Sequence, residues 1–271
     1  HPAGASNWGT NAQGVTFVAG TDPKLSESMA NGADGSAPTE AERLVANDWW
    51  KDADTVDINL LMAGPASVGG ATSIVNATSL IDIVNARKDC MAFVSPHRDA
   101  VVAVAASYTA TSNVVTWAKS LSSTSYAVID SGYKQVYDKY NDVYRYVPLN
   151  GDMAGLCAFT DAVADPWWSP GGLSRGQVRG AVELALNPTQ QERDSLYRNR
   201  VNPVVTYAGE GTMLWGDKTA LSQNSAFNRI NVRRLFITIE EACRIAARSV
   251  LFEFNDEFTR SNFKGIVCLL Y

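Results

Sequence analysis

In the stretch NLLMAGPASVGGATSIV (59–75) an apolar run ends in a glycine-rich turn and continues into a helical pattern. Strand, glycine turn and helix is the local arrangement with which many proteins hold a phosphate. A P-loop needs Gly, four residues, Gly-Lys, then Ser or Thr. Gly64 and Gly69 have that separation, but Gly70 stands where a lysine would supply charge and Ala71 where a hydroxyl would hold magnesium. The G-x-G-x-x-G dinucleotide pattern is missing here too. The stretch is therefore a weak phosphate signal, and an α/β nucleotide-binding enzyme is the alternative reading that rests on it.

Other chemistry is no better supplied. His97, in SPHRDA, is the one histidine away from the first residue, so any Ser-His-Asp set would have to use it. No G-x-S-x-G elbow accompanies it, and a solvated loop histidine is expected. Cys90, Cys157, Cys243 and Cys268 lie too far apart for metal-ligand spacing and are expected as reduced thiols. Asp138, Asp142 and Asp152 do not match a calcium loop. No catalytic, cofactor-binding or metal residue is assigned, and the chain is not expected to be an enzyme.

The elements that would position such residues alternate. Apolar strand-like runs at 56–64, 90–96 and 204–216 are separated by helical patterns at 71–89, 110–123, 151–166 and 187–203. A strand and hairpin are expected within 125–151 and a short strand at 180–186. In the 71–89 helix, Ile74, Ala77, Ile81 and Val84 recur at helical spacing. In the 187–203 helix, Asn187 is expected as the cap, Pro188 in the first turn, and Asn202-Pro203 as the stop. Ahead of these, VTFVAG (15–20) suggests a strand, 21–40 a loop, and 37–52 a short helix. The alternation predicts an α/β fold, a layered sheet with flanking helices, preceded by a loop-rich N-terminal segment from a neighbouring β-containing domain.

Composition bounds the partners. Apolar residues make up 46% of 271, enough for a sizeable core. Lys and Arg number 23 against 28 Asp and Glu, a net charge of −5, which does not favour a nucleic-acid partner. No apolar run approaches the roughly 18–20 residues of a membrane helix, so membrane insertion is not expected. The chain begins at His1 rather than Met and is read as a fragment of something longer.

Two features suggest interfaces. Along the helical pattern 228–254, Val232, Leu235, Phe236, Ile239, Ala242, Cys243, Ala246 and Val250 fall on one face. Arg233, Glu240, Arg244 and Arg248 fall on the other, with Glu240 and Arg244 as an i,i+4 pair. That net positive face, with the adjacent Arg234, is a candidate docking surface for an acidic partner. The tryptophan pairs Trp49-Trp50 and Trp167-Trp168 are candidate interface anchors or lids on a core edge.

The C-terminal third resembles the tail sheath protein of contractile-tailed, T-even-like bacteriophages. The resemblance is carried by a Trp-x-Pro-x-Gly type loop (168–172), Arg-Gly (175–176), Val-Asn-Pro (201–203), Leu-Trp-Gly-Asp-Lys-Thr (214–219), Asn-Val-Arg-Arg-Leu (231–235) and Phe-Glu-Phe-Asn-Asp-Glu (252–257). FVAGTD (17–22) and DADTVDINLLMAGP (52–65) extend it upstream. The resemblance implies a structural subunit that stacks in hexameric rings around a tail tube and contracts, without ATP, to drive the tube through the host envelope. Implied partners are other copies of the chain, the tail tube protein, and baseplate and tail terminator proteins. The implied place is the tail of the virion, with assembly in the host cytoplasm. The implied organisation is a return from an outer domain (1–48), an α/β core (49–255) and a truncated C-terminal linker (256–271). The candidate contacts to tube or neighbour are Arg233, Arg234, Arg244, Arg248, Trp167 and Trp168. Sheath proteins join neighbours by exchanged terminal strands. This chain departs from them in its terminal arms, so it is not expected to build that mesh alone.

Overall fold

The computed structural model describes residues 38–66, 71–248 and 250–269. The strand expected at 15–20 and most of the 21–40 loop lie outside the described residues. The chain divides into two compact units, His1–Ala37 and Pro38–Tyr271, and the described residues all lie in the second.

The centre of that second unit is a parallel sheet of β1 (Leu60–Met62), β2 (Met91–Val94), β3 (Ala127–Asp130) and β7 (Val201–Asn202), in the order β1-β2-β3-β7. The register places Leu61 beside Ala92, Ala92 beside Ala127, and Ile129 beside Val201. Every residue of β2 and β3 is buried, which is why both read as unbroken apolar runs rather than alternating ones.

Alternation still sorts these side chains onto two faces. Ala92, Val94, Ala127 and Ile129 pack with Leu80, Ile81 and Val84 of α2 (Val75–Arg87), Val114 and Trp117 of α3 (Ser107–Ser120), and Leu196 of α5 (Gln190–Arg198). Met91, Phe93 and Val128 face Met153, Leu156 and Cys157 of α4 (Asn150–Val163), and Ile230 and Ile237 of α6 (Ile230–Arg248). Helices on both sides of a parallel sheet make three layers, in keeping with the layered sheet and flanking helices that the alternation predicts.

Antiparallel pieces extend this body. One sheet has the order β5-β4-β6, from β4 (Tyr133–Asp138), β5 (Val143–Pro148) and β6 (Glu183–Leu184). A separate hairpin joins β8 (Val204–Tyr207) to β9 (Gly211–Leu214). α1 (Glu40–Asn47) precedes β1, with a Thr39–Glu42 capping box.

Some boundaries differ from expectation. The helix before β7 starts at Gln190, not Asn187. Glu192 accepts both the backbone N–H and the hydroxyl of Thr189 at 2.8 Å, making Thr189 the boundary residue. Asn187 instead accepts the Thr206 N–H at 3.0 Å and so ties the chain to β8. The strand expected over 180–186 narrows to Glu183–Leu184. The long last helix ends at Arg248, and a separate helix, α7 (Glu257–Leu269), occupies the stretch read as a linker. Asp256 starts α7 by accepting the Thr259 N–H at 2.7 Å.

Glu192 also accepts the Ser107 hydroxyl at 2.9 Å, linking the starts of α3 and α5. Glu192→Ala should therefore cost about 1 kcal/mol in urea denaturation. Asn187→Ala should leave α5 helicity unchanged in circular dichroism, since Asn187 does not cap it.

Candidate functional site

The carboxyl ends of parallel strands bind ligands in α/β proteins where the strand order reverses. The order β1-β2-β3-β7 contains no reversal. At that edge the Ser95 hydroxyl donates to Asp130 Oδ2 at 2.6 Å and the Gly132 N–H to Asp130 Oδ1 at 2.8 Å. The Asn150 N–H, in the first turn of α4, donates to Ser95 Oγ at 3.1 Å. Asp130 is fully buried, and burial pushes its carboxyl up to about 8, with the nearby Asp152 charge adding to the rise and the two hydrogen bonds opposing it.

His97 is half-buried rather than solvated. Its Nδ1 is buried with no hydrogen-bond partner among the described residues, and burial lowers its pKa. Ser95 bonds Asp130 directly, with no imidazole between them, so the order of a serine triad is not formed. The aspartates considered for calcium are spread over separate tasks. Asp138 accepts from Arg145 and Asn141 in the β4–β5 turn, Asp142 accepts the Tyr137 hydroxyl, and Asp152 pairs with Lys134. The cysteines are free thiols, Cys90 and Cys157 buried, Cys243 half-buried and Cys268 exposed.

The tip of the glycine turn, including Gly69 and Gly70, lies outside the described residues. Its first limb is held by its carbonyls. Ala63 O, Gly64 O and Pro65 O accept from Asn76 at 3.0 Å, Asn150 at 2.7 Å and Arg43 at 2.5 Å. Gly64 sits at φ +67, the left-handed turn that favours glycine.

The arginine face needs correction. Arg233 and Arg234 lie inside, with Ile230 and Ile237, on the buried face of α6. The Arg233 guanidinium is sandwiched 4.3 Å from the Tyr126 ring and 4.1 Å from the Phe227 ring, and donates to the Tyr126 hydroxyl at 3.1 Å. Arg234 makes a fork to Asp161 at 2.7 and 2.5 Å and reaches Cys157 O at 3.3 Å. Phe236, assigned to the core face, is 39% exposed and stacks edge-on against Phe227. Arg244 and Arg248 are exposed, as expected, but Arg244 pairs with Glu241 at 2.7 Å rather than with Glu240.

Trp167 and Trp168 are 40% and 49% exposed on a loop that β9 anchors. Gly172 N–H donates to Leu214 O at 2.9 Å and Leu214 N–H to Gly176 O at 2.7 Å. A Cβ on Gly176 would lie 2.7 Å from Gly172 N, so the loop closes only around glycine. Arg175 lies 5.1 Å over the Trp168 ring and donates to Ser169 O at 3.0 Å. Of the other pair, Trp49 is 76% exposed while Trp50 packs against the core.

Beneath this loop is a junction that sequence reasoning did not assemble. Asn202, fully buried, donates to Ile129 O at 3.0 Å and Lys218 O at 2.7 Å, and accepts the Lys218 N–H at 2.7 Å. Asp217 accepts from Tyr197 at 3.0 Å, from Arg229, and from Ser169 at 3.3 Å. A Cβ on Gly216 would sit 2.9 Å from Asn202 Oδ1. Val-Asn-Pro and Leu-Trp-Gly-Asp-Lys-Thr thus meet as one packed unit. Their residue types were visible in the sequence, but their contact was not.

The described residues define an α/β protein of three layers, many of whose buried polar groups serve internal junctions and whose Trp167 and Trp168 are exposed on a loop. The chain belongs to the phage tail sheath protein family, matching the model of that family's central domain over residues 46–220. It is 42% identical to the tail sheath protein of Vibrio phage KVP40, over 96% of this chain and 39% of that protein. It is 38% identical to the tail sheath protein of Enterobacteria phage T4, over 97% of this chain and 40% of that protein. It therefore spans about two fifths of the length of these relatives. The fold is shared with the contracted helical sheath of the anti-feeding prophage, at TM-score 0.62 and 17% identity over 87% of this chain and 59% of that one. The contracted PVC sheath of an extracellular contractile injection system matches at TM-score 0.64 and 18% identity, over 85% of this chain and 62% of that one.

Asp130 gives a pH test. Its folded pKa, about 8, is raised above the ordinary carboxyl value of 3.8, so folding favours the protonated form. Its stabilisation is complete below the unfolded value and is lost as pH rises through about 8. Asp130→Asn should remove that slope, so the variant should gain on the parent progressively from pH 5 to pH 8 in thermal melts. A constant difference across that range would contradict the assignment.

Proposed function

We propose that this chain is the core portion of a contractile tail sheath subunit. Copies stack as hexameric rings around the tail tube and hold an extended, metastable state. On a signal from the baseplate the stack shortens and widens, driving the tube through the host envelope. The energy is stored at assembly, with no catalytic step. The partners are other copies, the tail tube protein, and baseplate and tail terminator proteins, in a virion tail assembled in the host cytoplasm.

The observation that carries this reading is the family match over 46–220, joined to a fold shared with sheaths in the contracted state. The physical architecture supports it. A three-layer body with fully buried central strands moves as a unit, and close-packed cores switch between discrete packings rather than deforming. Two arrangements of such a unit in a helical stack are enough for contraction.

The exposed candidates, Arg244, Arg248, Trp167 and Trp168, are assigned to contacts with the tube or a neighbouring subunit. Arg233 and Arg234 serve the subunit's own core instead. In the full-length protein, Trp167→Ala with Trp168→Ala, or Arg244→Glu with Arg248→Glu, should leave the fold intact. Exposed helix charges of this kind change stability by only about 0.5 kcal/mol. Both pairs should reduce the length and number of sheaths seen by negative-stain electron microscopy. Sheaths of normal length from both variants would overturn the interface assignment.

A further inference from the structure

Between α6 and α7, Phe252 is 99% exposed, Phe254 87% and Leu251 61%, and Phe258, in the first turn of α7, is 73% exposed. Apolar clustering of this density on a surface marks an interaction site. The segment has a defined shape. Glu253 N–H donates to Val250 O at 3.2 Å, Asp256 N–H donates to Phe254 O at 2.9 Å, and Phe252 holds φ +71. It also carries Glu253, Asp256 and Glu257. None of these has an ion-pair partner among the described residues, and Asp256 caps α7. The surface is both aromatic and acidic.

The complementary surface lies elsewhere on the same chain. A groove of about 310 Å³ runs between α4 and residues 174–179. Gly151 and Gly155 lie along it. A Cβ on Gly155 would meet nothing within 4 Å, so the helix backbone there is open to close approach. Leu156 and Phe159 give it an apolar wall, and Arg175 and Arg179 bring positive charge. Asp152 also lines it, but pairs with Lys134 at 2.7 Å. Arg179 lies 5.6 Å over the Phe159 ring and Arg175 stacks on Trp168, and neither pairs with a carboxylate among the described residues.

We propose that the Leu251–Phe258 segment of one copy docks in the α4 groove of a second copy. Its phenylalanines cover Leu156 and Phe159 across Gly155, and Glu253 and Glu257 meet Arg175 and Arg179. The two surfaces are different, so the contact is heterologous and adds copies head to tail rather than closing a symmetric dimer. This inference rests on the reading of the chain as a self-assembling sheath subunit, and names surfaces through which two copies meet.

Sedimentation velocity of the 271-residue chain tests it. The wild type should form concentration-dependent oligomers that weaken with added salt. R175E/R179E and E253R/E257R should each weaken association by about tenfold or more. Mixing these two variants should restore it, because each acidic surface then faces a basic one. Gly155→Leu, at an open helical position, should stay folded in thermal melts and fail to associate. A wild type that stays monomeric, a variant that associates as the wild type does, or a mixture that stays monomeric would overturn the proposal. Full-length R175E/R179E that still builds sheaths would overturn this contact and leave the sheath reading standing. Charge-swap rescue, with no tubes from the wild-type full-length protein, would do the reverse.

Discussion

The side-chain amide of Asn202 is the constraint on which the second half of the structure depends. It lies at the end of the last parallel strand, fully buried, and bonds the backbones of Ile129 and Lys218 at once. A buried amide left without partners would be costly, so β3, β7 and the turn at Asp217–Lys218 must arrive together. Pro203 then carries the chain out of the sheet into β8, and Gly216 leaves room for the amide. From that turn the Asp217 carboxylate gathers Tyr197 of α5, Ser169 of the tryptophan loop and Arg229 at the entrance to α6. One polar contact inside the core thus sets where the exposed tryptophans and the long α6 helix are presented.

Charge inside this protein fastens elements rather than attracting partners. Arg87 takes Trp50 O at 2.8 Å and Val56 O at 2.7 Å while forked to Asp89, pinning the loop before β1 against the end of α2. Arg200 donates to Ala118 O at 3.1 Å and Ala220 O at 2.8 Å, closing the last turn of α3. Arg234 does the same between α6 and α4 through Asp161. Replacing a buried pair by apolar residues often costs little, whereas removing one partner costs much. Such pairs therefore specify which elements meet more than they add stability.

The sequence showed the elements well because their signals are local. An unbroken apolar run gave β2, the strand expected ahead of a hairpin within 125–151 gave β3, and helical spacing gave the buried side of α2, including Ala77, Ile81 and Val84. The failures share a physical cause. A helical wheel puts arginine outside by default, and Arg233 is inside because Tyr126, 107 residues away, supplies a ring and a hydroxyl. Arg234 is inside because Asp161 lies 73 residues away in sequence and across the helix pair in space. The misplaced start of α5 was avoidable, since Thr189 and Glu192 spell a capping box within the chain itself. Nothing local marked the groove beside Gly155, which exists only because the Arg-Gly loop folds across α4.

On the proposed reading, these features let one subunit stay rigid while its neighbours change. Groups that define its interior are matched within the interior: Asp130 with Ser95, Asn202 with backbone, Arg233 with aromatic rings. Several of its exposed aromatics sit in connections, with Trp167 and Trp168 before β6 and Phe252 and Phe254 after α6. Connections can be re-aimed without opening the core, because their backbone is held at a few points rather than along a ladder. On the proposed reading, a stack built from such units changes its contacts at the periphery while each centre stays intact. A low barrier within the subunit would let the extended state leak. On the proposed reading, a subunit with Phe93, Ile129 and Asn202 fully buried would place that barrier between subunits instead, where a signal from the baseplate can reach it.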